Sequence, residues 1–472
     1  MACAVYALCL AAMTASAQTF TTLVNFDGTD GANPYATMAQ GTDGNLYGTS
    51  NGGGANGAGE VLEIGSTGVL TTLYSFCSRQ SCDDGAAPAA GLVLGTDEDF
   101  YGTTAESGPY LSGTIFKITP GGQLTSLHDF CSPPNCTDGA NSRGPLVLSG
   151  DGSFYGTTSA GGLFAAGTVF SITSGGAFSV LYSFCSRTGC ADGEAPQAGL
   201  ALGTDGLFYG TTYNGGASGS CQGGCGTVFK VTPQGALTTL HSFCAQAKCA
   251  DGYGPLSALV QGRDGNFYGT TARGGAHSQG TAFKISPNGA LTTLYAFCSQ
   301  TNCADGSDPR AGLTLATDGD YYGTAYSGGA YSNGDVFRIT SGGKFTVLHS
   351  FDAFDGQNPA SGLFQATDGT LYGTTVYGGS SGAGTAFSLD MGLAAFVETV
   401  PVGGEAGRTV IILGTDLTGA TSVTFNGTAA SFTVESSTAI KTTVPAGAST
   451  GAVRVVTPGG TLTSNVSFRV EP

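Results

Sequence analysis

The chain has 472 residues and a formal net charge of −17, and only 10% of its residues are charged. With 16 Lys+Arg it is a poor binder of polyanions, so nucleic-acid partners are excluded. Its 80 glycines lack a collagen period and come with many β-branched and aromatic residues, which points to short strands and tight turns rather than disorder.

Residues 1–17 read as a signal peptide. An apolar stretch over residues 4–13 leads to Ala15-Ser16-Ala17, a small-x-small cleavage pattern, although no cationic segment precedes it. No later stretch approaches about 18 continuous apolar residues, so no membrane span is expected. The exported chain then opens with Thr19-Phe20-Thr21-Thr22-Leu23, an alternating strand followed by Val24-Asn25-Phe26.

From there the chain repeats. Tyr-Gly-Thr recurs at Tyr47, Tyr101, Tyr155, Tyr209, Tyr268, Tyr322 and Tyr372, with spacings of 54, 54, 54, 59, 54 and 50 residues. Such a period signals a repeat architecture. In the second repeat, Leu92-Val93-Leu94 is a short apolar strand (a). Thr96-Asp97-Glu98-Asp99 stands where most repeats have an Asp-Gly turn, and Phe100 to Thr104 is β-rich (b). A glycine-containing loop leads to Gly113-Thr114-Ile115-Phe116-Lys117-Ile118 (c), and Pro120-Gly121-Gly122 turns into Leu124-Thr125-Ser126-Leu127-His128 (d). The glycine after each tyrosine is expected to let a neighbouring sheet approach closely.

Four antiparallel strands repeated many times describe the blades of a β-propeller. The ends favour a ring over a rod. The first strand, residues 20–26, is a d strand without a, b or c before it, and the last repeat stops at a c strand, residues 384–389. Each completes the other if the chain closes, which also removes two exposed edges. The expectation is therefore an all-β chain: a seven-bladed β-propeller over residues 18–390, closed by its N-terminal strand, followed by a second domain over residues 396–472.

Twelve cysteines follow the leader. Five pairs have four residues between them: Cys77/Cys82, Cys131/Cys136, Cys185/Cys190, Cys244/Cys249 and Cys298/Cys303; Cys221/Cys225 has three. Even pairing on an exported chain reads as disulfides. A structural zinc site needs four ligands, and each repeat is counted as supplying two. The repeated Asp-Gly fits a turn and lacks the alternating carboxylates of a calcium loop. No metal and no cofactor are expected. His128, His241 and His349 hold the d-strand position of Tyr74, Tyr182 and Tyr295, so they read as packing residues; His277 stands alone in a loop.

The chain path places the tight a–b and c–d turns on one face and the long d–a and b–c loops on the other, where binding residues are expected. Seven tyrosines there lie outside the repeat pattern: Tyr35, Tyr110, Tyr213, Tyr253, Tyr326, Tyr331 and Tyr377. Arg79, Arg143, Arg187, Arg273 and Arg310 join them, with Glu106 and Glu194. Tyrosine and arginine are typical contact residues. The ligand-binding candidates are Tyr110, Tyr213, Tyr326, Tyr331, Tyr377, Arg273 and Arg310. The enlarged, cysteine-stapled loop of residues 214–226 is expected at the rim of the site.

Leu237 to Phe243, Asp205-Gly206, Tyr209 to Thr212, Gly215-Gly216-Ala217 and Gly226 to Lys230 carry strings by which about 370 residues resemble the bacterial GloVer tandem-repeat family. The resemblance implies an exported, choice-of-anchor type protein; no sorting signal is legible before Glu471-Pro472, which leaves attachment to the cell open. The segments Pro401-Val402-Gly403-Gly404, Val410 to Leu417, Val423 to Gly427, Val444 to Gly447 and Val453 to Thr457 resemble an IPT/TIG immunoglobulin-like domain. Their alternation and turn spacing also suggest a small β-sandwich.

The leading functional reading is a secreted or cell-surface binding or adhesion protein, monomeric, whose long-loop face meets an extracellular glycan or a surface protein. An enzyme of the polysaccharide lyase or hydrolase kind is the alternative, but a hydrolase needs a placed carboxylate pair, and Glu106 and Glu194 belong to different repeats. A structural surface-coat component is the third reading.

Overall fold

The computed structural model describes residues 18–132 and 134–471, so the signal peptide expected over residues 1–17 lies outside the described residues. The described chain is all-β, with only short 3₁₀ turns such as Gln80–Cys82 and Thr188–Cys190 beside the cysteine pairs. The repeat region forms seven four-stranded antiparallel sheets, a propeller-like arrangement in which six sheets are contiguous a–b–c–d units. The remaining sheet runs Phe364–Gln365, Leu371–Thr375, Thr385–Asp390 and then Thr19–Asn25. Phe20 pairs with Leu389 and Asn25 with Thr385, so the two chain ends of the repeat region share one sheet.

The repeated strings have distinct tasks. In the first six repeats the tyrosine of Tyr-Gly-Thr donates its hydroxyl to the turn aspartate four residues earlier, as Tyr101 does to Asp97 at 2.7 Å and Tyr209 to Asp205 at 2.7 Å. Burial, reinforced by that aspartate, pushes these phenol pKa values up. The same ring stacks on the next sheet: Tyr47 on Phe100, Tyr101 on Phe154 and Tyr155 on Phe208, with centroids 4.0–4.1 Å apart. Such stacks add about 1 kcal/mol beyond area burial. The first threonine donates to a backbone carbonyl of the following repeat at 2.7–3.5 Å in all seven cases. The last of these, Thr374 to Pro34, joins the seventh repeat to the first.

The glycine has a different cause from the one expected. A Cβ on Gly102 would lie 2.7 Å from the Phe116 ring and 2.9 Å from the Leu92 side chain, both within its own repeat. Gly156 and Gly210 meet Phe170 with Leu146, and Phe229 with Leu200, in the same way. The cleared space therefore holds the repeat's own c-strand phenylalanine and a-strand leucine, not a neighbouring sheet.

Residues beside strand a of every repeat line one central cavity, so the a strands face a common axis. Buried Met38, Leu92, Leu259, Leu313 and Leu363 line that cavity, and Leu146 and Leu200 are the buried residues at the same position of the third and fourth repeats.

After residue 390 the chain builds two further four-stranded sheets, one from Glu398–Val400, Thr409–Leu413, Ala439–Thr443 and Phe432–Val434, the other from Thr428–Ala430, Ser422–Phe425, Val453–Thr457 and Gly460–Thr463. Val410, Ile412 and Ile440 of the first meet Val423, Phe425, Val453 and Val455 of the second in one core. This segment sits on the tight-turn face and reaches every repeat. Thr438 Oγ1 donates to the Thr42 carbonyl at 2.7 Å, Lys441 faces Glu98, and Arg408 donates to the Asp151 carbonyl at 3.0 Å. Arg469 packs on Gly206, Arg263 donates to Asn465, Asn465 donates to the Leu315 carbonyl, and the Phe396 N–H donates to the Thr367 carbonyl. Val400, Ile411 and Leu413 join the apolar cluster of Leu94 and Leu148.

Candidate functional site

The d–a loops bring one residue per repeat to the open end of the axis. It stands five positions after the loop aspartate: Tyr35, Ala89, Arg143, Gln197, Leu256, Arg310 and Ala360. All seven line a cavity of about 630 Å3, with Asn51, Ala105 and Glu106 from the b–c loops. The loops are held by the aspartates themselves. Asp84 accepts from the Tyr74 hydroxyl at 2.7 Å and from the Ser78 N–H at 2.9 Å, and Asp192 is held alike by Tyr182 and Ser186. In other repeats histidine takes the tyrosine's place: His241 Nε2 lies 2.9 Å from Asp251, and His349 Nε2 lies 2.7 Å from Asp355 while its ring stacks on Phe20. His128 is 3.1 Å from Asp138 and stacked on Phe178, and burial lowers its pKa against the pull of Asp138. The Asp-Gly of these loops is thus an acceptor that ties strand d to the loop.

One sector of the mouth is chemically distinct. Arg310 donates through Nε and Nη2 to Asp308 Oδ2 at 3.0 and 2.7 Å, and its guanidinium carbon lies 3.7 Å from the centre of the Tyr326 ring. Tyr377 and Tyr35 complete the group. Burial, then the adjoining Tyr377 hydroxyl, pushes the Tyr35 phenol up to about 12. Tyr326 is also raised by burial, while Arg310 pulls it down. Burial pulls the Arg310 guanidinium down, and its bonds to Asp308 more than restore it. The group keeps a cation seated on an aromatic face with phenol hydroxyls beside it, an arrangement suited to stacking and hydrogen bonding at once. Tyr377 is 40% exposed, so the face is accessible.

Of the seven sequence candidates, Tyr326, Tyr377 and Arg310 come together. Tyr213 instead covers Gly254. Tyr110 and Tyr331 are exposed in b–c loops and do not line the cavity. Arg273 is exposed and its backbone bridges to Tyr253. Glu106 lines the cavity and Glu194, bridged to Asn214, does not. Tyr35 and Asp308 complete the cluster although they stood outside the candidate set. Counting five residues on from each loop aspartate would have singled out Tyr35, Arg143 and Arg310 as the ring that faces the axis. The six cysteine pairs are disulfides: Cys77–Cys82, Cys131–Cys136, Cys185–Cys190, Cys221–Cys225, Cys244–Cys249 and Cys298–Cys303.

The opposite end of the axis is covered. Glu398 of the C-terminal segment lines two cavities of about 180 and 280 Å3 beside Phe364 and the a strands, and burial raises its carboxyl pKa to about 7. No helix among the described residues is long and apolar enough to cross a membrane.

The family model described as the Gloeobacter/Verrucomicrobia repeat matches residues 9–222 and 218–434. No curated protein matches the sequence. Among solved structures, the extracellular domain of a protein described as a hybrid two-component system from B. thetaiotaomicron aligns at 12% identity with a TM-score of 0.52, over 85% of this chain and 46% of that one. A second extracellular domain of the same description and organism aligns at 11% identity and a TM-score of 0.50, over 96% of this chain and 58% of that one. The chain spans about half the length of these neighbours, and at this identity the likeness is one of fold.

Proposed function

The chain belongs to the Gloeobacter/Verrucomicrobia repeat family, and from that membership we propose an exported binding protein whose open channel mouth captures an extracellular ligand. In this reading residues 18–390 are a closed seven-bladed β-propeller. Residues 396–472 are an immunoglobulin-like sandwich of the IPT/TIG kind that caps the tight-turn end, and residues 1–17 direct export. The likeness in fold to extracellular domains and the six disulfides support an extracellular setting. The ligand class is a glycan or a glycan-bearing surface protein.

The observation that carries the proposal is the convergence of Tyr326 and Tyr377 on Tyr35 and Arg310, the two residues of the group that line the cavity. They come from the first, sixth and seventh repeats, at positions where the fold asks for nothing in particular: the equivalent residues elsewhere include Ala89, Ala360 and Ala105. An aromatic anchor at a contact is worth on the order of 2 kcal/mol. The test is a glycan array on the purified protein, followed by a titration of the captured glycan against Tyr326→Ala/Tyr377→Ala. Affinity should fall at least tenfold with the melting curve preserved. Unchanged affinity moves the site elsewhere, and turnover of the captured glycan makes the protein an enzyme.

A further inference from the structure

The fourth repeat differs from the others in its cysteines. Its long b–c loop holds Cys221 and Cys225, and the d–a loop that follows holds Cys244 and Cys249. Along the chain these are two pairs with three and four residues between them, separated by 18 residues. That is the spacing of four-cysteine zinc sites, which join two short Cys-x2–4-Cys pairs across an intervening hairpin.

In space the two pairs meet. The Sγ atoms of Cys221, Cys244 and Cys249 all lie within 4.8 Å of one another, and Cys225 is bonded to Cys221. Thiolates around a tetrahedral zinc, at about 2.3 Å from the metal, stand roughly 3.8 Å apart, so once the S–S bonds are open the sulfurs of each pair move apart and the two pairs draw together to that spacing. The surroundings are built: Cys225 is 1% and Cys244 7% exposed. Ser218 joins the two loops, its Oγ donating to the Cys244 carbonyl at 3.3 Å and lying 3.8 Å from Cys225 Sγ. The Gly254 N–H donates to the Cys225 carbonyl at 3.0 Å.

We propose that, once both disulfides are reduced, Cys221, Cys225, Cys244 and Cys249 close around one thiophilic divalent cation of the Zn2+ class. The fourth repeat is then a site that exchanges two disulfides for a tetrathiolate metal centre. With a phosphine as reductant, each S–S bond breaks as one phosphine and one water are consumed. The water oxygen ends on phosphorus as phosphine oxide and its two protons end on the two sulfurs. Two disulfides thus yield four thiols, and the cation displaces four protons to give a centre of net charge −2. Two repeats form their sheets with no bridge in the d–a loop. The first and last repeats have Asp27 and Asp352 where the others begin a cysteine pair, and their sheets form all the same.

The full chain after export, reduced with a phosphine under argon and stripped with a chelator, is titrated with Cd2+ alone. The first equivalent should develop the charge-transfer absorption of four thiolates, and the oxidised protein should develop none. Cys221→Ser/Cys225→Ser should weaken the first equivalent at least 100-fold, whereas Cys298→Ser/Cys303→Ser, which removes an isolated pair, should leave it intact. The proposal is overturned if the two double variants titrate alike, if the reduced wild type takes up no tight first equivalent, or if the reduced protein has lost its cooperative melt.

Discussion

The two ends of the central axis are built from the same seven repeats and have opposite characters. At the tight-turn end every repeat presents nearly the same short turn, and that regular platform is covered by the C-terminal segment, which touches all seven. At the loop end the scaffold position five residues past the aspartate carries tyrosine, alanine, arginine, glutamine or leucine, and the cavity stays open. The comparison teaches where a repeat protein can place chemistry. Residues whose hydrogen bonds hold the ring, such as the Tyr-Asp pair and the threonine staple, recur, while the side chains free to differ gather where nothing covers them.

Both ends presuppose a closed ring, so the severest way to break the comparison is to open it. Deleting residues 18–26 removes the strand that pairs with Thr385–Asp390 and takes away buried Val24 and Phe26. Large buried side chains cost about 2–5 kcal/mol each when truncated. The protein should lose on the order of 5 kcal/mol or more and its melting temperature should fall by about five degrees or more, and a truncated protein that melts like the parent would refute closure.

A finer probe separates the covered end from the open one through pH. The Glu398 carboxyl, raised to about 7 by burial against the covered end, is more easily protonated in the folded protein than in the unfolded chain. Its unfavourable contribution is therefore absent below the unfolded value and grows until the pH passes about 7. Glu398→Gln should match the wild type near pH 4 and exceed it at pH 8 by up to about 3 kcal/mol. Denaturant melts at the two pH values read this directly, and a pH-independent difference would remove Glu398 from the covered cavity.

The smallest expected effect lies beneath the open end. Five repeats pair the second threonine with the first threonine of strand c, as Thr158 and Thr168 do at 2.8 Å. The first repeat substitutes Ser50 and Glu60, whose carboxylate accepts from Ser75 at 2.7 Å. The sixth has Ala325 and Asp335, and both Asp335 oxygens are buried without a partner. Burial, with the nearby Asp305, drives its pKa well up. Restoring the pair with Ala325→Thr/Asp335→Thr should stabilise the protein by about 2 kcal/mol, and the gain should increase as pH rises above the carboxylate range, because Asp335 is tolerated best when protonated. Thermal melts between pH 4 and pH 8 test this; a destabilised double variant would show that the carboxyl has a partner of its own.

Much of the architecture was legible in the chain itself, because it is periodic and local. The Asp-x3-Tyr spacing encodes a hydrogen bond across one turn, alternation encodes the strands, and the unmatched strands at residues 20–26 and 384–389 encode their own pairing. Cysteines four or five positions apart can bond within a single loop. What only the tertiary structure decided are encounters between repeats. Tyr35 and Tyr377 are 342 positions apart yet adjoin each other, and Tyr213, with the same look in the sequence, faces Gly254 instead. Cys221 meets Cys244 across two loops, and Glu398 reaches the floor of an axis defined by seven separate strands. Spacing along the chain determines which residues share a strand or a turn. The curvature that brings the first repeat beside the last is a sum over all the sheet packings between them, and no single stretch of sequence contains it.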